Sequence, residues 1–207
     1  MKVVGFFNSK GGSGKSTLAV HLGVAASKKR NTVLLDTDPQ GTLSAWSNAR
    51  NHESPVVQSV SGSTLSAELT KLRKSGVELA VLDCPPYITP ESTRLVALCD
   101  FVVVPVQPTM PDIAGCNHAV RIIQSQETPF AFILNRAPAR APEVAQSLEA
   151  LTSWGVVMPC QLGDRRAFSR ALASGQSVAE MDEDSPAALE AAAACEWILN
   201  WIDHEKA

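Results

Sequence analysis

Between positions 8 and 17 the chain reads Asn8-Ser9-Lys10-Gly11-Gly12-Ser13-Gly14-Lys15-Ser16-Thr17, and these residue types at this spacing can hold a chain of phosphates. Glycines at 11, 12 and 14 admit backbone conformations closed to other residues, so successive N–H groups can converge on one anion. Lys15 can reach β- and γ-phosphate oxygens, the Ser16 hydroxyl can hold Mg²⁺, and Thr17 can donate to an α-phosphate. The usual phosphate loop has glycine where this chain has Ser9, and here a second lysine, Lys10, is added. Two acidic stretches could complete a site. Asp36-Thr37-Asp38-Pro39-Gln40-Gly41 offers two carboxylates suited to facing a metal and a water; the alternative is a turn in which Asp caps a helix from Leu43 to Ala49. Asp83, directly after Leu79 to Leu82, has the form of a strand-end aspartate that holds Mg²⁺ directly or through water.

The elements that must position these residues follow from hydropathy. Val3 to Phe7 is a short continuous apolar run, the pattern of a strand buried on both faces, and a helix from about Ser16 to Lys29 leaves the glycines. The glycines therefore fall where a strand becomes a helix, whose free N-terminal donors and dipole favour an anion. Leu18, Leu22 and Ala25 or Ala26 form its apolar face, Lys28-Lys29-Arg30 close its last turn, and Asn31 is a plausible C-cap. Thr32 to Asp36 is a second buried strand, so the crossover implies parallel neighbours and places Asp36 and Asp38 at a carboxyl edge, where open α/β sheets bind ligand. Further strands are expected at Leu79–Leu82, Phe101–Val106, Phe130–Arg136 and Gly155–Met158. Helices are expected at Thr64–Lys74, Ala114–Gln126, Pro142–Leu151, from the 163–170 segment to Ser174, and from Pro186 to about Trp201, with a helix or turn at Glu91–Leu98 and a loop at Gln107–Ile113. From Asn48 to Ser63 the composition turns polar. With no repeats, linkers or low-complexity tracts, residues 1–207 read as one doubly wound α/β domain with a mostly parallel sheet flanked by helices.

The order Lys-Gly-Gly-x-Gly-Lys-Ser resembles the deviant Walker A motif of the ParA/MinD family of ATPases, and Asp-x-Asp-Pro-Gln, the strand before Asp83, Asn135-Arg136 and the Gly175-Gln176-Ser177-Val178 segment resemble other parts of the family's members. The resemblance runs over nearly the whole chain and is nearest to small ParA-type partition proteins without an N-terminal DNA-binding extension. It implies a P-loop fold, ATP/ADP and Mg²⁺ as cofactors, and slow, partner-stimulated hydrolysis of ATP. It also implies an ATP-sandwich homodimer in which Lys10 reaches the partner's nucleotide. Lys10, Lys15 and Asp38 are then the catalytic set, with Asp38 on the attacking water. Gly11, Gly12, Ser13, Gly14, Lys15, Ser16 and Thr17 bind phosphates, Ser16, Asp36 and Asp83 serve the metal, Asp36 directly or by support, and Asn135 with Arg136 lies at the adenine. Asn135-Arg136 could equally be a strand-ending turn. A further implication is transient binding to nonspecific DNA, with a ParB-like or small centromere-binding protein as stimulating partner. Arg165, Arg166 and Arg170 are the DNA candidates, because 166 and 170 stand one helical turn apart.

Composition limits the alternatives. The formal net charge is −3, so DNA contact requires a local basic patch. Five cysteines without a Cys-x-x-Cys pair read as reduced buried thiols of a cytoplasmic protein and argue against an iron–sulfur carrier. A dethiobiotin-synthetase-like enzyme has no use for Lys10, and a non-hydrolysing ATP switch is separated only by turnover. A MinD-like membrane ATPase needs a basic amphipathic C-terminal helix, whereas residues 198–207 carry acids and little positive charge. Trp197 and Trp201, at i and i+4, are expected to dock on the core, and His21 to be a packing or surface residue.

Overall fold

The computed structural model describes residues 1–204, so Glu205, Lys206 and Ala207, the end of the segment weighed as a membrane helix, lie outside it. Among the described residues the elements alternate as β1 (Lys2–Phe6), α1 (Lys15–Ser27), β2 (Thr32–Asp36), α2 (Thr42–Asn48), β3 (Val56–Ser59), α3 (Leu65–Lys74) and β4 (Leu79–Asp83). There follow α4 (Pro90–Ala97), β5 (Phe101–Val106), α5 (Met110–Ser125), β6 (Phe130–Ala137), α6 (Pro142–Thr152), β7 (Val156–Gly163), α7 (Arg166–Ala173), α8 (Val178–Met181) and α9 (Pro186–His204). The strands pair in the order β3-β2-β4-β1-β5-β6-β7, and every neighbouring pair is parallel.

Strand alternation sends successive β1 residues to opposite faces, because side chains in a strand repeat every two residues. Val4 and Phe6 join a core with α1, α7 and α9, while Val3 and Phe7 join a second core with α3, α4 and α5. The expected parallel α/β architecture with helices on both faces is what the chain builds. Because β1 sits between β4 and β5, the carboxyl edge brings the glycine loop, the 37–41 loop, Asp83 and the segments after β5, β6 and β7 to one end.

Several local expectations need correction. Helix α1 ends at Ser27 with Lys28 as C-cap, and Asn31 instead ties β2 to the turn before β4, its N–H donating to Glu78 and its amide to Gly76 O. Arg30 leaves the helix end to pair with Asp203 of α9. The apolar face of α1 extends almost all round, from Leu18 to Val24, because sheet and α9 cover it from both sides. Strand β3 had no apolar run to announce it: it is an edge strand paired only with β2, and Val56 stays exposed. The stretch 110–113 is helical rather than loop, since Thr109 caps α5 by accepting from the Asp112 N–H and Pro111 is tolerated in the first turn. β7 runs on to Gly163 through Pro159, which an edge strand allows, with register shifts between Phe132 and Leu134 and between Leu134 and Ala137 of β6. Trp201 stacks on Phe101 at 3.9 Å between ring centroids and Trp197 tilts over the same ring, so both dock on the sheet as expected. Among the described residues no helix is long and apolar enough to cross a membrane. The five cysteines are free thiols, four buried and Cys160 half-buried.

Candidate functional site

The glycine loop leaves β1 and enters α1 with Gly12 at φ 75° and Gly14 at φ 106°, conformations that residues with a Cβ resist. At Gly14 a Cβ would also stand 2.0 Å from the Asn135 amide nitrogen, so glycine is required there twice over. Neighbouring strands hold the loop from behind. Asn8 donates to Pro105 O and accepts the Lys10 N–H, Gln107 donates to Gly12 O, and Asn135 donates to Ser13 O at 2.7 Å. Asn135 is buried, and part of its amide is committed to this brace. The adenine contact expected of it becomes at most a second task, and β6 is tied to the phosphate loop.

Lys15 is buried and its Nζ lies 3.3 Å from Lys10 O, folded over the loop. Burial pushes its ammonium down from the ordinary lysine value, opposed chiefly by Asp83. Lys10 behaves differently: its Nζ forms a 2.6 Å ion pair with the nearly buried Asp112 at the start of α5. The pairing of Lys10 with Asp112 had no local signal, because the two are 102 positions apart.

Asp36 and Asp83 end adjacent strands and stand in register, on β2 and β4. Their environments differ. Asp36 accepts from the Ser44 N–H and hydroxyl, each at 2.9 Å, and from the Asp38 N–H, so it caps α2 from below and supports the loop. That is the capping alternative realised together with the supporting role expected of Asp36. Asp83 is fully buried and neither oxygen has a hydrogen-bond partner among the described residues. Burial pushes its carboxyl up to about 7, opposed by the nearby Ser16 hydroxyl and the Lys15 ammonium. An orphaned carboxylate beside a hydroxyl is a donor set for a hard divalent cation, which typically takes one or two carboxylates together with phosphate and water oxygens. Ser16 and Asp83 therefore fit Mg²⁺. Among the described residues no group of three His, Cys, Asp or Glu side chains competes as a metal site.

Two cavities open above this floor. One, of about 370 Å³, is lined by the glycine loop, Ser16, Thr17, Asp38, Gln40 and Pro86. The other, of about 540 Å³, lies between Thr17, Asn135, the turn after β7 and α7. Gly14, Thr17, Arg136 and Leu172 border both, so a phosphate chain in the first can continue into a base in the second. Arg136 holds a left-handed backbone conformation, φ 51°, at this shared border. The arginines expected to form a DNA patch divide. Arg165 is neutralised by Glu190, which it grips with Nε and Nη2, and both Arg165 and Arg166 line the second cavity. Arg165 carries that ion pair, whereas Arg166 and Arg170 are exposed without an ion-pair partner among the described residues.

A glycine loop between the central strand and the first helix of a parallel sheet, with an orphaned aspartate on the adjoining strand, defines a P-loop nucleotide-binding protein. Residues 4–178 match the model of the CobQ/CobB/MinD/ParA nucleotide binding domain, and the chain belongs to that family. A relative named maintenance of carboxysome distribution protein A, from Gloeobacter kilaueensis, is 30% identical over 184 residues, covering 86% of this chain and 83% of the relative. A protein of the same name from Halothiobacillus neapolitanus is 26% identical over 183 residues, with 84% and 85% covered. Among solved structures, an ATP complex of Cyanothece McdA superposes with a TM-score of 0.79 at 17% identity, covering 97% of this chain and 96% of that one. Members of the family are P-loop ATPases, and the matched domain is a nucleotide-binding one.

Proposed function

We propose that the chain is a single-domain positioning ATPase that closes on a second copy of itself around ATP, binds nonspecific DNA in that state and is released by slow hydrolysis. The carrying observation is the pair of lysines in one glycine loop: Lys15 is buried over the phosphate cradle, while Lys10 is half-exposed and held aside by Asp112. A lysine committed to its own nucleotide would fold inward like Lys15. In this reading Lys10 exchanges Asp112 for the γ-phosphate bound by the second copy.

Ser16 and Asp83 would hold Mg²⁺, which would supply charge neutralisation for the phosphates. The protein's part is positioning. The loop N–H groups and Lys15 orient the phosphates, and Asp38, half-buried on the cavity wall, holds the attacking water and accepts its hydrogen bond. Asn135 braces the loop, and Arg136 faces the nucleotide. DNA contact falls to Arg166 and Arg170, with Arg165 serving the cavity wall. The names of the two relatives favour a protein compartment as cargo over a plasmid or chromosome origin, with a partner protein stimulating turnover as a ParB-like protein would.

Binding to random-sequence duplex DNA with ATP, with ADP and without nucleotide, at two salt concentrations, tests this reading. ATP-selective binding that weakens steeply with salt is expected, because each neutralised phosphate releases counterions. Equal binding in all three states, or none, overturns the DNA-based mechanism while leaving the nucleotide site in place.

A further inference from the structure

Arg50, just beyond α2, is a fully bonded side chain outside the nucleotide site. Its side chain is 3% exposed, and all five of its N–H donors are in use. Nη1 and Nη2 grip the Glu180 carboxylate at 3.0 and 2.8 Å, and Nη1 also donates to Gly175 O at 2.9 Å. Nε and Nη2 donate to Ser54 O. The guanidinium lies 4.7 Å from the Trp46 ring centroid, and the Trp46 indole N–H donates to Gln176 O. At Gly175, φ 69°, a Cβ would fall 2.4 Å from the Arg50 nitrogen, so the two backbones are in direct contact.

This clasp joins two elements that border the nucleotide from opposite sides. On one side, α2 begins directly after the loop that carries Asp38, and Ser44 within it anchors Asp36. On the other, segment 175–180 continues from α7, whose Phe168 and Leu172 line the second cavity. The same segment is tied to the phosphate-loop helix, since the Val178 N–H donates to His21 Nε2 while His21 Nδ1 meets Thr17 O. A buried ion pair gives little net stability compared with an apolar replacement, so this saturated arginine is better explained by geometry than by folding energy.

We infer that Arg50 is a positioning residue for hydrolysis: by clasping Glu180 and Gly175 it fixes α2, and with it the Asp38 loop, relative to the nucleotide cavity. The inference rests on the ATPase reading above. Arg50 touches no part of the cavity that holds phosphate, so it acts through Asp38 and not on the nucleotide. Lysine at 50 keeps the charge but loses the planar fork and two of the five donors.

The experiment compares wild type with Arg50→Lys and Glu180→Gln in three measurements: affinity for ATP with Mg²⁺ by calorimetry, single-turnover hydrolysis, and amide hydrogen exchange without nucleotide. ATP affinity is expected to stay within about threefold of wild type while hydrolysis falls about ten- to a hundredfold, the loss that small misplacements of a reacting group produce. Exchange in residues 37–48 should rise, with residues 11–20 unchanged. A lowered melting temperature with unchanged hydrolysis and unchanged exchange at 37–48 would overturn the inference, leaving Arg50 a stabilising residue. Equal loss of affinity and hydrolysis would overturn it as well. If Arg50→Lys does not fold, Glu180→Gln decides by the same criteria. Should wild type bind ATP without turning it over, the ATPase reading fails, and exchange at 37–48 still decides whether the clasp holds the loop.

Discussion

Replacing Asp83 with asparagine should make the nucleotide-free protein more stable while removing its ability to hold Mg²⁺ with ATP. The carboxyl is buried without a hydrogen-bond partner among the described residues and titrates at about 7 against 3.8 for the ordinary group. The folded state therefore binds the proton more tightly than the unfolded chain. The unfolded chain loses its proton first, so stability falls as pH rises from about 4 to about 7 and levels off above. At 1.36 kcal/mol per pK unit, the charge costs about 2 kcal/mol at pH 5 and about 4 kcal/mol at pH 8. Asparagine removes that cost but leaves a buried amide to satisfy, which returns about 1–3 kcal/mol. The net gain at pH 8 is then about 1–3 kcal/mol. The pH-dependent part is cleaner: wild type should lose about 2–3 kcal/mol relative to the variant between pH 5 and pH 8. Urea unfolding of both proteins at the two pH values, without nucleotide or divalent cation, reads this directly, and other titrating groups cancel in the difference. A variant equally stable or less stable at pH 8, with a difference that does not change with pH, would refute the account of Asp83 as an uncompensated buried charge.

Lys15→Ala should abolish measurable ATP binding in calorimetry, since the loop loses its only buried cation among the described residues. Asp38→Ala should form ATP-dependent dimers in light scattering that do not turn over, and normal hydrolysis would remove it from the catalytic set. Lys10→Ala should bind ATP as a monomer and fail to form a productive dimer; unchanged dimerisation and turnover would make Lys10 an ordinary loop lysine. Gly175→Ala should lower the urea midpoint by an amount worth about 2 kcal/mol or more. The left-handed conformation alone costs about 1–2 kcal/mol, and the new Cβ must displace the Ala49–Arg50 backbone.

Most of the site is local in the chain. Glycines at 11, 12 and 14, Lys15 and Ser16 lie within six residues, and the apolar runs around them state that a buried strand turns into a helix. Asp83 was legible for the same reason: four apolar residues and then a carboxylate is a short-range pattern. The misreadings have separate causes. β3 is an edge strand that need not be apolar, and the start of α5 hides behind Pro111, which breaks helices in their interior but suits their first turn. Arg165 looks like part of a basic cluster until Glu190, 25 positions away, neutralises it.

By itself, then, the sequence determined the phosphate cradle, its second lysine and the parallel α/β frame, because each is encoded in neighbouring residues and their periodicity. Only the tertiary structure decided how those parts are divided among tasks. Asp36 and Asp83 end similar strands, yet one is spent on capping α2 and the other is left bare for a cation. Lys10 and Lys15 are five residues apart, yet one faces a carboxylate from α5 and the other the cradle. The Lys10 contact spans 102 positions, and the energy of a buried charge is set by the atoms packed around it rather than by its neighbours along the chain.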